Sequence, residues 1–398
     1  MPADGVDGLL DRVAGEVVRW RRHLHANPEL SFHEERTSEF IAETLQGFGG
    51  LEIDRPAGTS VVARLRGTAG GPVVALRADI DALPIREENE VSYASRNPGV
   101  MHACGHDGHT AMLLGAAKVL GQLRERVRGE VRFIFQQAEE LFPGGAEALC
   151  DAGVMDGVQA VVGAHLWTPL EVGRIGIRAG AMMAAPDTFR IVIRGRGGHA
   201  AQPDATVDSV VVAAEAVVNL QHIVARRQDP LKPLVVSVTS VHGGTADNII
   251  PDAVELLGTV RSFDAEERER VPQAMREIVG GICAAHGATF EFEYQKGYRP
   301  VRNDPHITGL VREAVAQRLG ADAVVEPPPS MGGEDFSAYQ VHAPGCFFLV
   351  GAGNPARGIT HPHHSSRFDI DEDALRLGLG AEVDAALHLL EALDLGER

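Results

Sequence analysis

The run Pro72-Val-Val-Ala-Leu-Arg77 is apolar up to its final arginine, and it constrains the fold more than any other segment. A strand without alternation has both faces covered, as in the middle of a parallel sheet. Ser60-Val-Val-Ala-Arg-Leu65 alternates, and Val131-Arg-Phe-Ile-Phe-Gln136 and Ala160-Val-Val-Gly-Ala-His165 read as further strands. Helical spacing of apolar residues gives a helix from about Val13 to Leu24, ended by Asn27-Pro28, and another from Ser38 to Phe48, ended by Gly49-Gly50. Thr110 to Leu123 is a third, rich in Ala and Leu. Strands alternating with helices predict an α/β sheet covered on both faces.

The pattern changes after Ala185-Pro186. Phe189-Arg-Ile-Val-Ile-Arg-Gly195 alternates strictly, as a half-exposed strand does. A helix from about Ala205 to Arg227, strands at Leu234–Val241 and Ala253–Arg261, a helix from Glu266 to His286 and a strand at Ala288–Tyr294 follow. Strand, helix, strand, strand, helix, strand fits a two-layer α+β unit of ferredoxin-like type. The expected organisation is therefore a larger α/β domain at 1–185 and 298–398, with a smaller domain at 186–297 inserted in it. A chain of 398 residues is long enough for two domains.

Composition excludes several classes of function. A hydrophobic share of 44% and a charged share of 23% are those of a globular protein. No run of about 18 apolar residues predicts a membrane span; the most apolar stretch, Val210 to Val218, contains Glu215. Asp4, Asp7 and Asp11 precede any basic residue, the wrong order of charges for a secretory leader. The four cysteines, Cys104, Cys150, Cys283 and Cys346, are too few and too scattered for a disulfide framework. Reduced thiols and a cytoplasmic location are expected. A formal charge of −18 argues against nucleic acid. Arg19, Arg21 and Arg22 read as one face of the first helix.

The segment His102-Ala-Cys104-Gly-His106-Asp107-Gly-His109 packs a thiol, three imidazoles and a carboxylate into eight residues. Thiolate and imidazole are ligands of zinc-like metals, and Gly105 allows a bend that turns Cys104 and His106 to one centre. The plainer alternative is a polar loop with a buried free cysteine. Six of the 17 histidines fall in this segment and in His361-Pro-His363-His364, which packing alone does not explain. Glu139-Glu140 follow a strand directly, and His165 ends another. Adjacent carboxylates there repel unless a cation or a proton separates them, although acidic residues also open exposed helices. A hydrolytic metal site needs rigid ligands, an open position for water and a carboxylate base beside it. Glu139 and Glu140 can divide two of these duties, one binding metal and the other taking the proton.

Seven motifs in one order carry a family resemblance. They are Arg22-His-Leu-His-Ala-Asn-Pro-Glu-Leu-Ser-Phe32, Arg77-Ala-Asp-Ile-Asp-Ala-Leu-Pro-Ile85, Met101 to His109, Phe135-Gln-Gln-Ala-Glu-Glu140, Gly197-Gly-His-Ala-Ala-Gln-Pro203, Asn248-Ile-Ile-Pro-Asp252 and Met331-Gly-Gly-Glu-Asp-Phe336. The chain resembles the M20 metallopeptidase clan in its amidohydrolase branch, which includes N-acyl-amino-acid amidohydrolases, hippurate hydrolases and indole-acetyl-amino-acid hydrolases. The resemblance implies two divalent metal ions per subunit, Zn, Mn, Co or Ni, held by Cys104, His106, Glu140, His165 and His364. His363 and His361 are alternatives to His364. It implies Glu139 as general base, His199 and Asn248 at the oxyanion, and Arg261 as a carboxylate clamp. Gln137 and Ser366 stand where the family usually has proline. Asp79 and Asp81 replace a His-x-Asp pair of the peptidase branches, which leaves open whether Asp79 touches metal.

The implied activity is metal-dependent hydrolysis of N-acyl amino acids by a homodimer joined through the smaller domain, which would act as a lid. Hinges are expected near Ala184–Pro186 and Gly297-Tyr298. A dipeptidase of the same clan and a non-catalytic binding protein are the rival readings. No nucleic-acid or membrane partner is expected.

Overall fold

The computed structural model describes residues 5–396; Asp4 and the outermost residues of the expected terminal boundaries lie outside them. Contacts divide the chain into two compact units. One comprises Met1–Met182, Arg302–Pro328 and Asp335–Arg398, the other Met183–Val301 and Pro329–Glu334.

The first unit opens with α1 (Val6–Ala26), α2 (Glu35–Phe48), β1 (Glu52–Asp54), β2 (Val61–Arg66) and β3 (Ala69–Asp79). It continues with α3 (His106–Gln122), β4 (Arg128–Gln136), α4 (Ala146–Asp151), β5 (Ala160–Glu171) and β6 (Ile175–Gly176). The second unit supplies β7 (Ala185–Arg194), β8 (Gly198–His199), α5 (Ser209–His222), β9 (Leu234–His242), β10 (Ile249–Ile250), β11 (Ala253–Ser262), α6 (Ala265–His286) and β12 (Thr289–Gln295). The chain then returns to the first unit with α7 (Pro305–Leu319), β13 (Val324–Val325), β14 (Gly345–Gly353) and α8 (Asp373–Asp394).

In the first unit eight strands form one sheet in the order β1-β2-β4-β3-β5-β14-β6-β13. Its centre, β4-β3-β5-β14, is parallel, and β3 sits inside it as its unbroken apolar run predicts. One face packs Val74, Leu76, Val131, Phe133, Val162 and Phe348 against a helical layer that includes α1, α3 and α8. The other carries Phe347 against Phe336. Helix α1 begins at Val6, ahead of the expected Val13, because Leu9 and Leu10 extend the buried stripe of Val13, Val17 and Leu24.

Arg21 departs from the sequence expectation. Arg19 and Arg22 are exposed, but Arg21 is fully buried. Its Nε donates to Asp107 Oδ2 at 2.8 Å and its Nη2 to Asp369 Oδ1 at 2.7 Å. Its Nη1 also donates to Glu372 Oε1 at 3.3 Å, and all three partners lie far along the chain from α1, so helical spacing alone could not reveal them.

In the second unit β9, β11, β7 and β12 form an antiparallel sheet in that order. Phe189, Ile191, Ile193, Leu256 and Val260 meet Val212, Ala216 and Leu220 of α5 and Val271, Met275 and Val279 of α6. Helix α5 starts at Ser209, later than the expected Ala205. The Asp208 side chain accepts hydrogen bonds from the amides of Val210 and Val211 and so fixes its N-terminus. A wider turn over Ile223–Arg227 continues it. Together, Ser209–Arg227 is long and apolar enough to cross a membrane by length and composition, which the search for continuous apolar runs did not anticipate. One face of it is nevertheless spent on the core of its own unit.

Candidate metal centre

The C-terminal ends of the parallel strands gather the chemistry-bearing residues, as open α/β sheets generally do. Asp79 ends β3, Glu139 and Glu140 follow β4, and His165 lies on β5 just past its pairing with β3. Gly105 caps the start of α3 with φ 98°, a left-handed bend that glycine adopts without penalty. It leaves Cys104 outside the helix and His106 at its first position. Gly108 is equally constrained, since a Cβ there would meet Leu166 Cδ1 at 2.3 Å. Ala138 and His364 hold positive φ angles of 51° and 64°, a conformation that disfavours side chains by about 1 kcal/mol or more. Both adjoin the cluster, and the His364 amide is tied to Ala103 O at 2.8 Å.

Donor atoms of Cys104, His106 and His165 lie within 4.8 Å of one another, as do those of Cys104, Glu140 and His364, and of His106, Glu139 and Glu140. Cys104 belongs to two of these groups. Its Sγ is 3.6 Å from His165 Nε2. Glu140 Oε1 is 3.2 Å from His364 Nε2 and 3.8 Å from His106 Nε2. The tautomers suit coordination. His165 Nδ1 donates to Leu166 O at 2.7 Å, and His106 Nδ1 meets Asp81 Oδ1 at 3.2 Å. Each Nε2 lone pair is thereby left facing the cluster. His106 Nε2 and Glu140 Oε1 are buried without a hydrogen-bond partner, so the donor set fits a cation that would engage them. Asp81 braces the same region: it accepts the amides of Glu139 at 3.1 Å and Glu140 at 3.0 Å, and the Ser31 hydroxyl at 2.6 Å.

The local field is acidic. Burial opposes the charged form of His106, but Asp79, then Asp81 and Glu140, overcome it and raise the imidazole to about 10. Burial, then Glu140, Glu139 and Asp79, push the Cys104 thiol well up. Burial, with His109 and His363 nearby, holds His165 well below its ordinary range. A divalent cation favours thiolate and neutral imidazole, and so reverses the first two tendencies.

Two further histidines, His109 and His363, serve as brackets. His109 Nδ1 donates to Asp79 Oδ1 at 2.7 Å, while its Nε2 accepts the Leu166 amide at 2.8 Å. Although its atoms fall near those of Asp79 and His106, both ring nitrogens are committed. His363 Nε2 donates to Leu166 O at 2.9 Å, and its ring stacks on Trp167 at 4.6 Å. Burial lowers it to about 4. His361 is exposed. His25 meets Asp107 Oδ2 at 2.8 Å and Glu87 Oε1 at 3.1 Å.

His199, Asn248 and Arg261 belong to the second unit. His199 pairs with Ile249 across β8 and β10, and the Ala200 amide donates to Asn248 O at 3.1 Å. The structure therefore brings His199 and Asn248 together. Arg261 lies on β11 opposite Pro186 and Val235, and its partial burial lowers the guanidinium. Cys150, Cys283 and Cys346 are buried. Sequence reasoning gave no role to Ser31, Arg77 or Asp335, whose only signal was membership of the quoted motifs.

The model of peptidase family M20/M25/M40 matches residues 75–388. An N-acyl-L-amino acid amidohydrolase of Geobacillus stearothermophilus is 59% identical over 322 residues, 80% of this chain and 87% of that protein. Thermostable carboxypeptidase 2 of Saccharolobus solfataricus is 43% identical over 91% of this chain and 92% of its own length. The crystal structure of the Bacillus subtilis YXEP protein, described as a dinuclear metal binding peptidase, superposes with a TM-score of 0.84 at 39% identity. It covers 96% of this chain and 99% of its own. The motifs, the strand-end cluster and these likenesses agree: the chain belongs to peptidase family M20/M25/M40.

Proposed function

We propose that the protein is a metal-dependent amidohydrolase that cleaves N-acyl amino acids to a carboxylic acid and a free amino acid. The observation that carries this reading is the sharing of Cys104 between two donor groups, with Glu139 beside them. Cys104, His106, His165, Glu140 and His364 would hold two divalent ions, with Zn, Mn, Co and Ni all compatible with that donor set. Bound there, the ions supply Lewis acidity and a lowered pKa for water. Glu139 takes the proton from the attacking water and returns it to the leaving amine. His199 and Asn248 stabilise the oxyanion, a role worth about 3 kcal/mol per donor. Arg261 pairs with the substrate carboxylate, for which its planar fork is suited. The likeness to an N-acyl-L-amino acid amidohydrolase supports the substrate class.

The likeness to a carboxypeptidase keeps peptide cleavage as the rival. A panel of N-acetyl, N-benzoyl and indole-acetyl amino acids beside free dipeptides separates the two. We expect amino-acid release from a blocked class, abolished by chelation and restored by metal. Turnover confined to free dipeptides would move the protein to the peptidase reading.

We assign residues 1–185 and 298–398 as the catalytic domain and 186–297 as a ferredoxin-like lid and dimerisation domain. The strand order of the second unit supports the ferredoxin-like description. Its α5 exposes Val210, Val211 and Val218, and β9 is an edge strand with Val241 exposed, which supports a homodimer through this surface. Light scattering should give twice the chain mass of 42.5 kDa. Val218→Glu should shift it to the single-chain mass with the melting profile kept. A wild-type protein that is monomeric and active would end the dimer reading.

A further inference from the structure

Beneath the cluster lies a buried strut that the proposed chemistry does not use. Arg77 is 2% exposed and donates to three side chains. Its Nη2 reaches Asp335 Oδ1 at 2.8 Å, its Nε reaches Gln136 Oε1 at 2.8 Å, and its Nη1 reaches Asp79 Oδ2 at 2.7 Å. Asp335 is fixed in turn. It accepts Gln136 Nε2 at 2.7 Å and the amides of Gly145 and Ala146 at 3.2 and 3.1 Å. Tyr339 donates to Gln136 Oε1 at 3.0 Å. The guanidinium is thus fixed by Asp335 and Gln136 as well as by Asp79.

Asp79 carries the strut into the centre. Oδ1 accepts from His109, and Oδ2 lies 3.7 Å from His106 Nε2 while bonded to Arg77. Both carboxylate oxygens therefore face fixed donors of the chain. A charge-assisted bond to Arg withdraws donor strength from Oδ2 and fixes its direction. A buried arginine with two carboxylates is no better for stability than apolar packing of the same volume. Its value here is in placing a negative charge.

Resting on the metal-centre reading above, we propose that Arg77, anchored by Asp335, is a positioning residue that keeps Asp79 outside the metal shell. From there the Asp79 carboxylate orients His109 and sets the negative field on His106. His109 passes the same constraint to Leu166, whose carbonyl orients the ligand His165.

Cobalt(II) titration of wild type, Asp79→Asn and Arg77→Met tests this, read by absorption spectrum, stoichiometry and chelator competition. Asp79→Asn should keep both cobalt equivalents and the wild-type band positions, while turnover falls about 10- to 100-fold, as for other groups that orient ligands. Arg77→Met frees Asp79 to enter the shell. It should move the cobalt bands and tighten cobalt binding while turnover falls; a merely structural lesion would weaken binding. Loss of a cobalt equivalent in Asp79→Asn, or wild-type bands and affinity in Arg77→Met, overturns the proposal. If Arg77→Met does not fold, Arg77→Lys is read by the same criteria, since a lysine cannot span both carboxylates. Wild-type protein that takes up no cobalt would instead refute the metal-centre reading.

Discussion

Glu139→Gln should lower turnover about 10²- to 10⁴-fold while the protein keeps its full metal content. The side chain is 7% exposed and lies within 4.8 Å of donor atoms of His106 and Glu140. Its backbone is held by Asp81, so the amide can occupy the place of the carboxylate without disturbing the fold. What is lost is the capacity to take a proton. Metal analysis beside steady-state kinetics checks this result. Near-normal turnover with metal bound would remove Glu139 from the reaction. Parallel loss of metal and turnover would make it a ligand.

Arg21→Met should destabilise the first unit by about 3–5 kcal/mol, the usual effect of removing one partner from a buried ion pair. Asp107 and Asp369 then keep their charges without the guanidinium between them. The pH dependence has a definite sign. Burial favours the neutral carboxyl of Asp107, but Arg21 and then His25 overcome it and hold the group far below the usual carboxylate range. A depressed carboxylate stabilises the fold fully above its unfolded value, near 4, and loses that contribution as pH falls toward the folded value. The gap in urea midpoint between wild type and Asp107→Asn should therefore be wide at pH 7 and narrower at pH 3. An equal gap at both would show that the pair contributes shape and not charge.

These two residues mark how far the sequence could be read. Glu139-Glu140 and Cys104-Gly-His106 are local patterns, so spacing and chemistry exposed them without knowledge of the fold. The bend at Gly105 was legible for the same reason. Arg21 was misread because its partners, Asp107 and Asp369, are 86 and 348 positions away. Counting histidines also could not separate ligands from brackets. His109 and His106 share a motif, but only the fold shows that both nitrogens of His109 are engaged. The start of α5 at Ser209 depended on whether Asp208 or an earlier residue captured the first amides, which composition left undecided. Residues 329–334 join the second unit because the Ala184 amide meets Ser330 O and Gly332 O, a backbone contact that no side-chain pattern announces.

Leu166 illustrates a blind spot of mutagenesis. Its amide is accepted by His109, and its carbonyl receives both His165 and His363. Three imidazoles are thus aimed by the backbone N–H and C=O of a single residue, and every one of the twenty residues except proline would supply both groups equally. Its buried leucyl side chain, pressed against Gly108, reports only on packing when it is truncated. An alanine scan would score this position as ordinary core. Replacing the amide on the N-terminal side of Leu166 with an ester, which deletes the one donor facing His109, would reveal its part in orienting the centre.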